Sequence, residues 1–244
     1  MRLRHIDEAA TVAVANMARD ESLLLAGSSA ALRLYGWAPH AVSLGYFQRL
    51  AEFADLPTGT TVVRRLTGGG AIHHGSEITY ALALDAHLLP ADVDQSYALL
   101  HDAIVRAVRA VGGKAHRLEH GPAPGARPHD RWCFAVPGRH DLVDVAGRKL
   151  CGSAQRRLRT PHGPRVLHHG SLVLHRPSLT PFVGAVADEV ENSRHVELRE
   201  RVAIELAAAL SLQLERDDLT AAERALAASL QVSRYENPAF TATR

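Results

Sequence analysis

Apolar side chains recur every three or four positions from Ala9 to Leu25, and the cluster Gly27-Ser28-Ser29 closes the run, a pattern that predicts an opening helix. The period then shortens. "ALRLYGW", "AVSLGYF" and "TTVVRRL" are β-prone runs divided by Gly36, Pro39 and Pro57-Thr58-Gly59, and "EITYALALD" follows them, so strands of one antiparallel or mixed sheet are expected. Residues 93–111, "VDQSYALLHDAIVRAVRAV", return to helical spacing and stop at Gly112-Gly113, giving a helix to cover one sheet face. Proline and glycine crowd residues 121–131, "GPAPGARPHDR", which predicts an irregular loop. Strands resume in "DLVDVAGRKLCGSAQRR" and "RVLHHGSLVLH". From about residue 183 alanine, leucine and glutamate dominate, and "ELRERVAIELAAALSLQL" and "TAAERALAASL" read as amphipathic helices. Helices segregated from strands imply an α+β domain, with a core over residues 1–182 and a helical C-terminal extension of the same domain over 183–244.

Composition narrows the function classes. A chain of 244 residues that is 46% hydrophobic has ample material for a packed core. A net charge of +2 gives no reason to expect nucleic acid as a partner, though an acidic protein stays open. No run approaches the ~18 apolar residues that a membrane helix needs. The two cysteines lack CxxC spacing, which suits a reducing compartment, and a cytoplasmic protein is expected. Lysine occurs only at 114 and 149 among 28 basic residues, so a surviving lysine can mark a place where a compact ammonium is needed and an arginine fork does not serve.

Five stretches invite a chemical reading. "RRLTGGGAIHH", residues 64–74, sets three glycines after a strand and two arginines before them; the glycines either let backbone N–H groups approach a ligand or make a tight hairpin turn. In "HHGSEITY", His74 and Glu77 would fall on opposite faces of a strand unless a turn intervenes, so a shared metal is not expected and none is assigned. His116 and His120 in "HRLEH" read as surface. Cys133 in "RWCFAVPG" is either a small buried apolar group or a nucleophile able to carry an acyl thioester. In "GRKLCGSAQRR", Lys149 either lies solvated on a strand or points into a pocket to hold a carboxylate, phosphate or thioester carbonyl. Cys151 shares the strand parity of Lys149.

Taken together, "NMARDESLL" (16–24), "LRLYGWAPHAVSLGYFQ" (32–48), "RRLTGGGAIHHGSEITYAL" (64–82), "CF" (133–134), "GRKLCGSAQRR" (147–157) and "VLHHGSLVL" (166–174) resemble, in order and rough spacing, the biotin/lipoate protein ligase catalytic family. The resemblance runs from about residue 12 to 175, and weakly on to "RYENPAF" near the end. It implies an α+β fold around a mixed, largely antiparallel sheet, and transfer of an acyl group onto a lysine of a carrier domain. By the same resemblance Arg64, Arg65, Thr67, Gly68, Gly69, Gly70 and His74 line the acyl pocket, joined by Gly152, Ser153, Ala154, His169 and Gly170. Lys149 then matches the lysine that contacts the activated carbonyl, and Cys151 falls at a packing position.

Two chemistries compete within that family. Lipoate ligases continue the glycine block with His-Asp and Gly-Asn, whereas this chain has His74, Gly75, Ser76 and Glu77. The "HxxEITYAL" form is more similar to octanoyltransferases and lipoyl amidotransferases, whose cysteine nucleophile in a "CF" maps onto Cys133. Gly69-Gly70 departs from the Gly-Arg common in that branch and looks ligase-like. The expected mechanism is attack by Cys133 on an octanoyl or lipoyl donor, with Lys149 polarising the carbonyl. Acyl carrier protein or lipoylated H protein would be the donor and a lipoyl domain or glycine-cleavage H protein the acceptor. No cofactor is needed for transfer; ATP and Mg would serve a ligase. A non-catalytic member that shelters an acyl chain or docks carriers is a third reading.

Overall fold

The computed structural model describes residues 1–121 and 131–242. Nearly all of the segment 121–131, expected as a loop, lies outside the described residues. In chain order the elements begin β1 (Arg2–Asp7), α1 (Ala13–Leu25), β2 (Ala31–Tyr35), β3 (Ala41–Leu44), β4 (Thr61–Arg64), β5 (Ile72–His74), β6 (Glu77–Asp85) and α2 (Val93–Ala110). They continue with β7 (His116–Arg117), β8 (Leu142–Val143), β9 (Lys149–Thr160), β10 (Gly163–Val173), α3 (His195–Ala209), β11 (Gln213–Arg216), α4 (Ala221–Leu230) and α5 (Pro238–Ala242).

Eight strands form one mixed sheet in the order β11-β1-β2-β6-β10-β9-β8-β7, parallel from β11 to β2 and antiparallel beyond; β4-β3-β5 form a second, small sheet. The fold is the expected α+β arrangement. Strand β6 lies at the centre and is buried on both faces, so it reads as a nearly continuous apolar run rather than an alternation. Its large residues Ile78, Tyr80, Leu82 and Leu84 pack in one cluster with side chains of α2 and α3. Its small residues Ala81 and Ala83 face the other way and let α1 approach closely. Helix α2 starts at an Asp92 cap, whose carboxylate accepts from Gln95 N–H at 2.9 Å, and ends beside Gly112 at φ +94°.

Two strands escape the hydrophobic pattern. β1 carries Arg4, which is buried because Glu223 and Asp217 from the C-terminal region meet its guanidinium at 2.7 and 2.6 Å. β11 comes from a stretch expected to be helical. The chain leaves α3 at Ala209, Ser211 takes φ +54°, and Gln213–Arg216 extend along β1. The first helix also starts later than expected, because Thr11 is held extended by a bridge to Trp37.

Helix α1 buries polar side chains on its sheet-facing side. Arg33, fully buried, is held by Asp20 at 2.8 Å, Glu8 at 2.5 Å and the Asn16 side chain at 2.6 Å. Tyr35 Oη donates to the other oxygen of Asp20 at 2.8 Å. Burial opposes ionisation of Asp20, but the His169 hydrogen bond and the Arg33 charge prevail and hold its carboxyl below the usual range. Asp20→Ala should therefore strip the buried Arg33 guanidinium of one of its two carboxylates, orphan the Tyr35 hydroxyl and cost about 3–5 kcal/mol. Urea unfolding checks this; a loss below about 1 kcal/mol, the scale of a surface pair, would contradict it.

Candidate active site

The ends of β9 and β10 meet the glycine loop that follows β4. Gly170 lies opposite Ser153, and Ser171 opposite Gly152, in the β9/β10 ladder. A Cβ on Gly170 would fall 2.6 Å from Tyr80 Oη and 2.7 Å from the Gly152 carbonyl, so only glycine fits there. Between this ladder, α1 and the glycine loop lies a cavity with an empty volume of about 420 Å³, part of it open to solvent. Met17, Tyr35, Trp37 and Ile72 supply its apolar wall.

Cys133 borders this cavity, half-buried. Its segment is strapped to the residue after the triple glycine: Cys133 N–H donates to the Ala71 carbonyl at 2.8 Å and Ala71 N–H to the Arg131 carbonyl at 2.7 Å. A Cβ on Gly70 would come within 2.7 Å of Cys133 N. The last glycine of the block thus seats the cysteine backbone and does not itself border the cavity.

Lys149, 5% exposed, reaches the same sulfur from behind. Its Nζ lies 3.5 Å from Cys133 Sγ, 3.0 Å from the Cys133 carbonyl and 2.7 Å from Asp141 Oδ2. These three acceptors match the three protons of an ammonium. Burial works against the charge, but the neighbouring Cys133 and Asp141 override it and raise the Lys149 pKa above the ordinary lysine value. Asp141 is itself held by Gly138 N–H at 2.6 Å. Strand parity alone would leave Lys149 beside Cys151. Instead its side chain folds across the strand, over Gly152, where a Cβ would lie 2.4 Å from Lys149 Cε. Cys151 stays fully buried among apolar side chains, its pKa pushed up by burial.

Several expected site residues take other posts. Arg64 does not border the cavity; its guanidinium donates to the carbonyls of Gly45, Tyr46 and Gln48 and to Thr241 near the C-terminus, clamping the turn beside the pocket. Arg65 does border it, buried, but spends its donors on the Ser43, Gly68 and Gly70 carbonyls and so shapes the glycine loop. Thr67 stands behind the wall, its hydroxyl 2.6 Å from His169 Nε2, while His169 Nδ1 faces Asp20 at 3.3 Å. Gly68, Gly69, His74, Gly152, Ser153, Ala154, His169 and Gly170 all border the cavity. The hydroxyl of Ser153 is committed to His101 Nε2 at 2.6 Å.

His74 and Glu77, expected on opposite faces, meet at 2.8 Å because β5 ends at His74 and β6 begins at Glu77, with Gly75-Ser76 turning between them. The Glu77 carboxylate also accepts from Thr79 and Ser171, and the His74 ring stacks on Trp37 at 3.7 Å. His116 and His120 are exposed, as expected. Asp141 escaped the sequence reading. The signal available was position: Asp141 and Asp144 are the two acids between Cys133 and Lys149, and Asp144 is occupied by Arg148 at 2.7 Å.

Comparison with known proteins identifies the family. Residues 13–226 match the lipoyl protein ligase A/B catalytic domain. The chain belongs to that family. It is 34% identical over 256 residues to octanoyltransferase LipM of Kyrpidia tusciae, covering 88% of this chain and 89% of that one. It is 37% identical to octanoyltransferase LipM of Moorella thermoacetica over 182 residues, 70% of this chain and 64% of that one. Among solved structures, lipoate-protein ligase A bound with ATP superimposes with a TM-score of 0.76 at 22% identity, over 99% of this chain and 98% of that one. The bipartite lipoate protein ligase of Thermoplasma acidophilum gives 0.75 at 20% identity, over 99% and 96%. At those identities the likeness is one of fold. In this chain the Cys133–Lys149 contact lies at the border of the apolar cavity between α1, the glycine loop and the β9/β10 ladder.

Gly152→Ala should keep the sheet but drive the Lys149 side chain off the sulfur. Iodoacetamide alkylation of Cys133 at neutral pH should slow severalfold while the far-UV circular dichroism holds; an unchanged alkylation rate would contradict the placement.

Proposed function

We propose that the protein is an acyltransferase of protein lipoylation, moving an octanoyl or lipoyl group onto a lysine of a lipoyl carrier domain through a thioester on Cys133. The observation that carries this reading is the 3.5 Å approach of the Lys149 ammonium to Cys133 Sγ at the border of a cavity walled by Met17, Tyr35, Trp37 and Ile72. An ammonium at that distance places a proton donor beside the carbonyl that the sulfur would carry. Similarity to octanoyltransferases over most of the chain supports the same choice.

In the first half-reaction the Cys133 sulfur attacks the carbonyl of a carrier-bound acyl thioester. The new carbon–sulfur bond forms as the old one breaks, and the departing thiolate takes a proton. The alkyl chain lies against Met17, Tyr35, Trp37 and Ile72. Once the sulfur is acylated, the Lys149 proton that faced it is free to point at the thioester oxygen. Stabilising charge on such an oxygen is worth about 3 kcal/mol per donor. In the second half-reaction the neutral carrier lysine attacks, the carbon–nitrogen bond of the amide forms, and the sulfur leaves with the electron pair and takes up the amine proton. A thioester is already activated relative to the amide, so no ATP is consumed. Acyl carrier protein is the thioester donor on this reading; with lipoylated H protein as donor the bond broken is instead the amide to its carrier lysine, the amine leaves with a proton, and amide is exchanged for amide overall, so again no ATP is consumed. A lipoyl domain or H protein is the acceptor.

One observation favours the ATP-dependent alternative: the full-length likeness in fold to lipoate-protein ligase A bound with ATP, together with the unbroken glycine run through Gly70. The two readings part in one assay. Incubation with octanoyl carrier protein, without ATP, should give an octanoyl adduct on Cys133 that hydroxylamine removes, and Cys133→Ser should lose turnover by roughly a thousandfold or more. Pyrophosphate release from ATP and free octanoate, with turnover surviving in Cys133→Ser, would establish the ligase reading instead.

A further inference from the structure

An enzyme that delivers acyl groups to a lysine amine holds a lysine of its own 3.5 Å from the sulfur that carries them. If Lys149 were neutral, its lone pair would reach the thioester carbonyl before any carrier could. Transfer from sulfur to nitrogen is downhill, because the amide is the more stable product, and the nitrogen already sits 3.5 Å from the sulfur to which the carbonyl would be attached. The resulting amide would seal the active site permanently.

We propose that Asp141 protects the enzyme from acylating itself, by keeping Lys149 an ammonium while the acyl group rests on Cys133. This rests on the thioester reading above. Two groups that favour the charged form of Lys149 face its Nζ in the free enzyme, the Cys133 sulfur at 3.5 Å and the Asp141 carboxylate at 2.7 Å. Acylation removes the first. What then remains around Nζ is the Cys133 carbonyl at 3.0 Å, the Phe134 ring at 5.0 Å and Asp141 at 2.7 Å. The other titratable neighbours are Cys151 on β9 and Tyr97 and His101 on α2, and burial, with a smaller push from Lys149, disfavours protonation of His101. None of them supplies a negative charge at neutral pH, since burial holds Tyr97 up at about 12 and keeps Cys151 protonated. Asp141 is thus the one carboxylate among the described residues that touches Lys149, and burial alone would favour the neutral amine. The position of Asp141 is fixed independently of the lysine, by Gly138 N–H.

Removing the carboxylate charge opens a defined side reaction. The Lys149 nitrogen attacks the Cys133 thioester carbonyl, the carbon–nitrogen bond forms, the carbon–sulfur bond breaks, and the sulfur departs with the electron pair and takes up the amine proton. The test loads purified wild type, Asp141→Asn, Asp141→Glu and the double variant Asp141→Asn/Cys133→Ser with octanoyl carrier protein. Peptide mass spectrometry before and after hydroxylamine locates the acyl group. Wild type and Asp141→Glu should carry it on Cys133 in labile form. Asp141→Asn should shift it to Lys149 as a hydroxylamine-resistant amide and lose turnover progressively, and the double variant should carry none, showing that the route passes through the sulfur. Asp141→Asn that retains native circular dichroism yet forms no Lys149 amide, under conditions that load wild type fully, would overturn the proposal. Failure of wild type to form any Cys133 adduct would strike the thioester reading itself and is seen separately.

Discussion

A charge buried to the depth of Lys149 is tolerated only where an anion and a full set of acceptors surround it, and the active-site end of the molecule is arranged to meet that condition. Asp141 arrives from the turn before β8, Cys133 from the segment strapped to Ala71, and Lys149 from the first residue of β9. The three converge because Gly152 has no side chain to block the lysine and Gly70 none to block the cysteine backbone. Reactivity and packing are therefore one problem here: the two glycines that permit the close approach also fix the distance between sulfur and ammonium.

The same logic holds the cavity wall. Helix α1 would be a poor cover for the sheet if its inward-facing Asn16, Asp20 and Glu21 lacked partners. Arg33 and Tyr35 satisfy the first two, and Tyr235 Oη donates to Glu21 at 2.8 Å. From Asp20 a chain of side chains continues through His169 to Thr67 in the glycine loop. Arg64 ties that loop's neighbouring turn to the C-terminal residues. Charged and polar bonds, more directional than apolar contacts, thereby set the outline of a pocket whose inner surface is apolar.

Much of this was legible in the chain wherever the governing interaction is local. Helix α2 shows its period and its glycine stop, and β6, β9 and β10 announce themselves by composition. The glycine block and Lys149 were singled out by residue type. What stayed hidden depends on partners far away in sequence. Arg64 and Arg65 are adjacent and chemically identical, and only the arrival of Thr241 beside one of them separates clamp from pocket wall. β1 looks too charged for a buried strand until Glu223 comes to meet Arg4. His74 and Glu77 meet because a turn interrupts the strand that alternation would have continued. Asp141 carries no pattern of its own, and it acquires a role only because β8 pairs with the start of β9.

The central claim is that Lys149 is a permanently charged ammonium held against the Cys133 sulfur by Asp141. With lysine confined to positions 114 and 149, NMR of a sample labelled at lysine Cε should show two ε-methylene signals, the exposed Lys114 serving as internal reference. Titrated through the alkaline range, the Lys149 signal should hold its charged-state shift beyond the pH at which an ordinary lysine loses its proton. A Lys149 signal that titrates at or below that point would contradict the account.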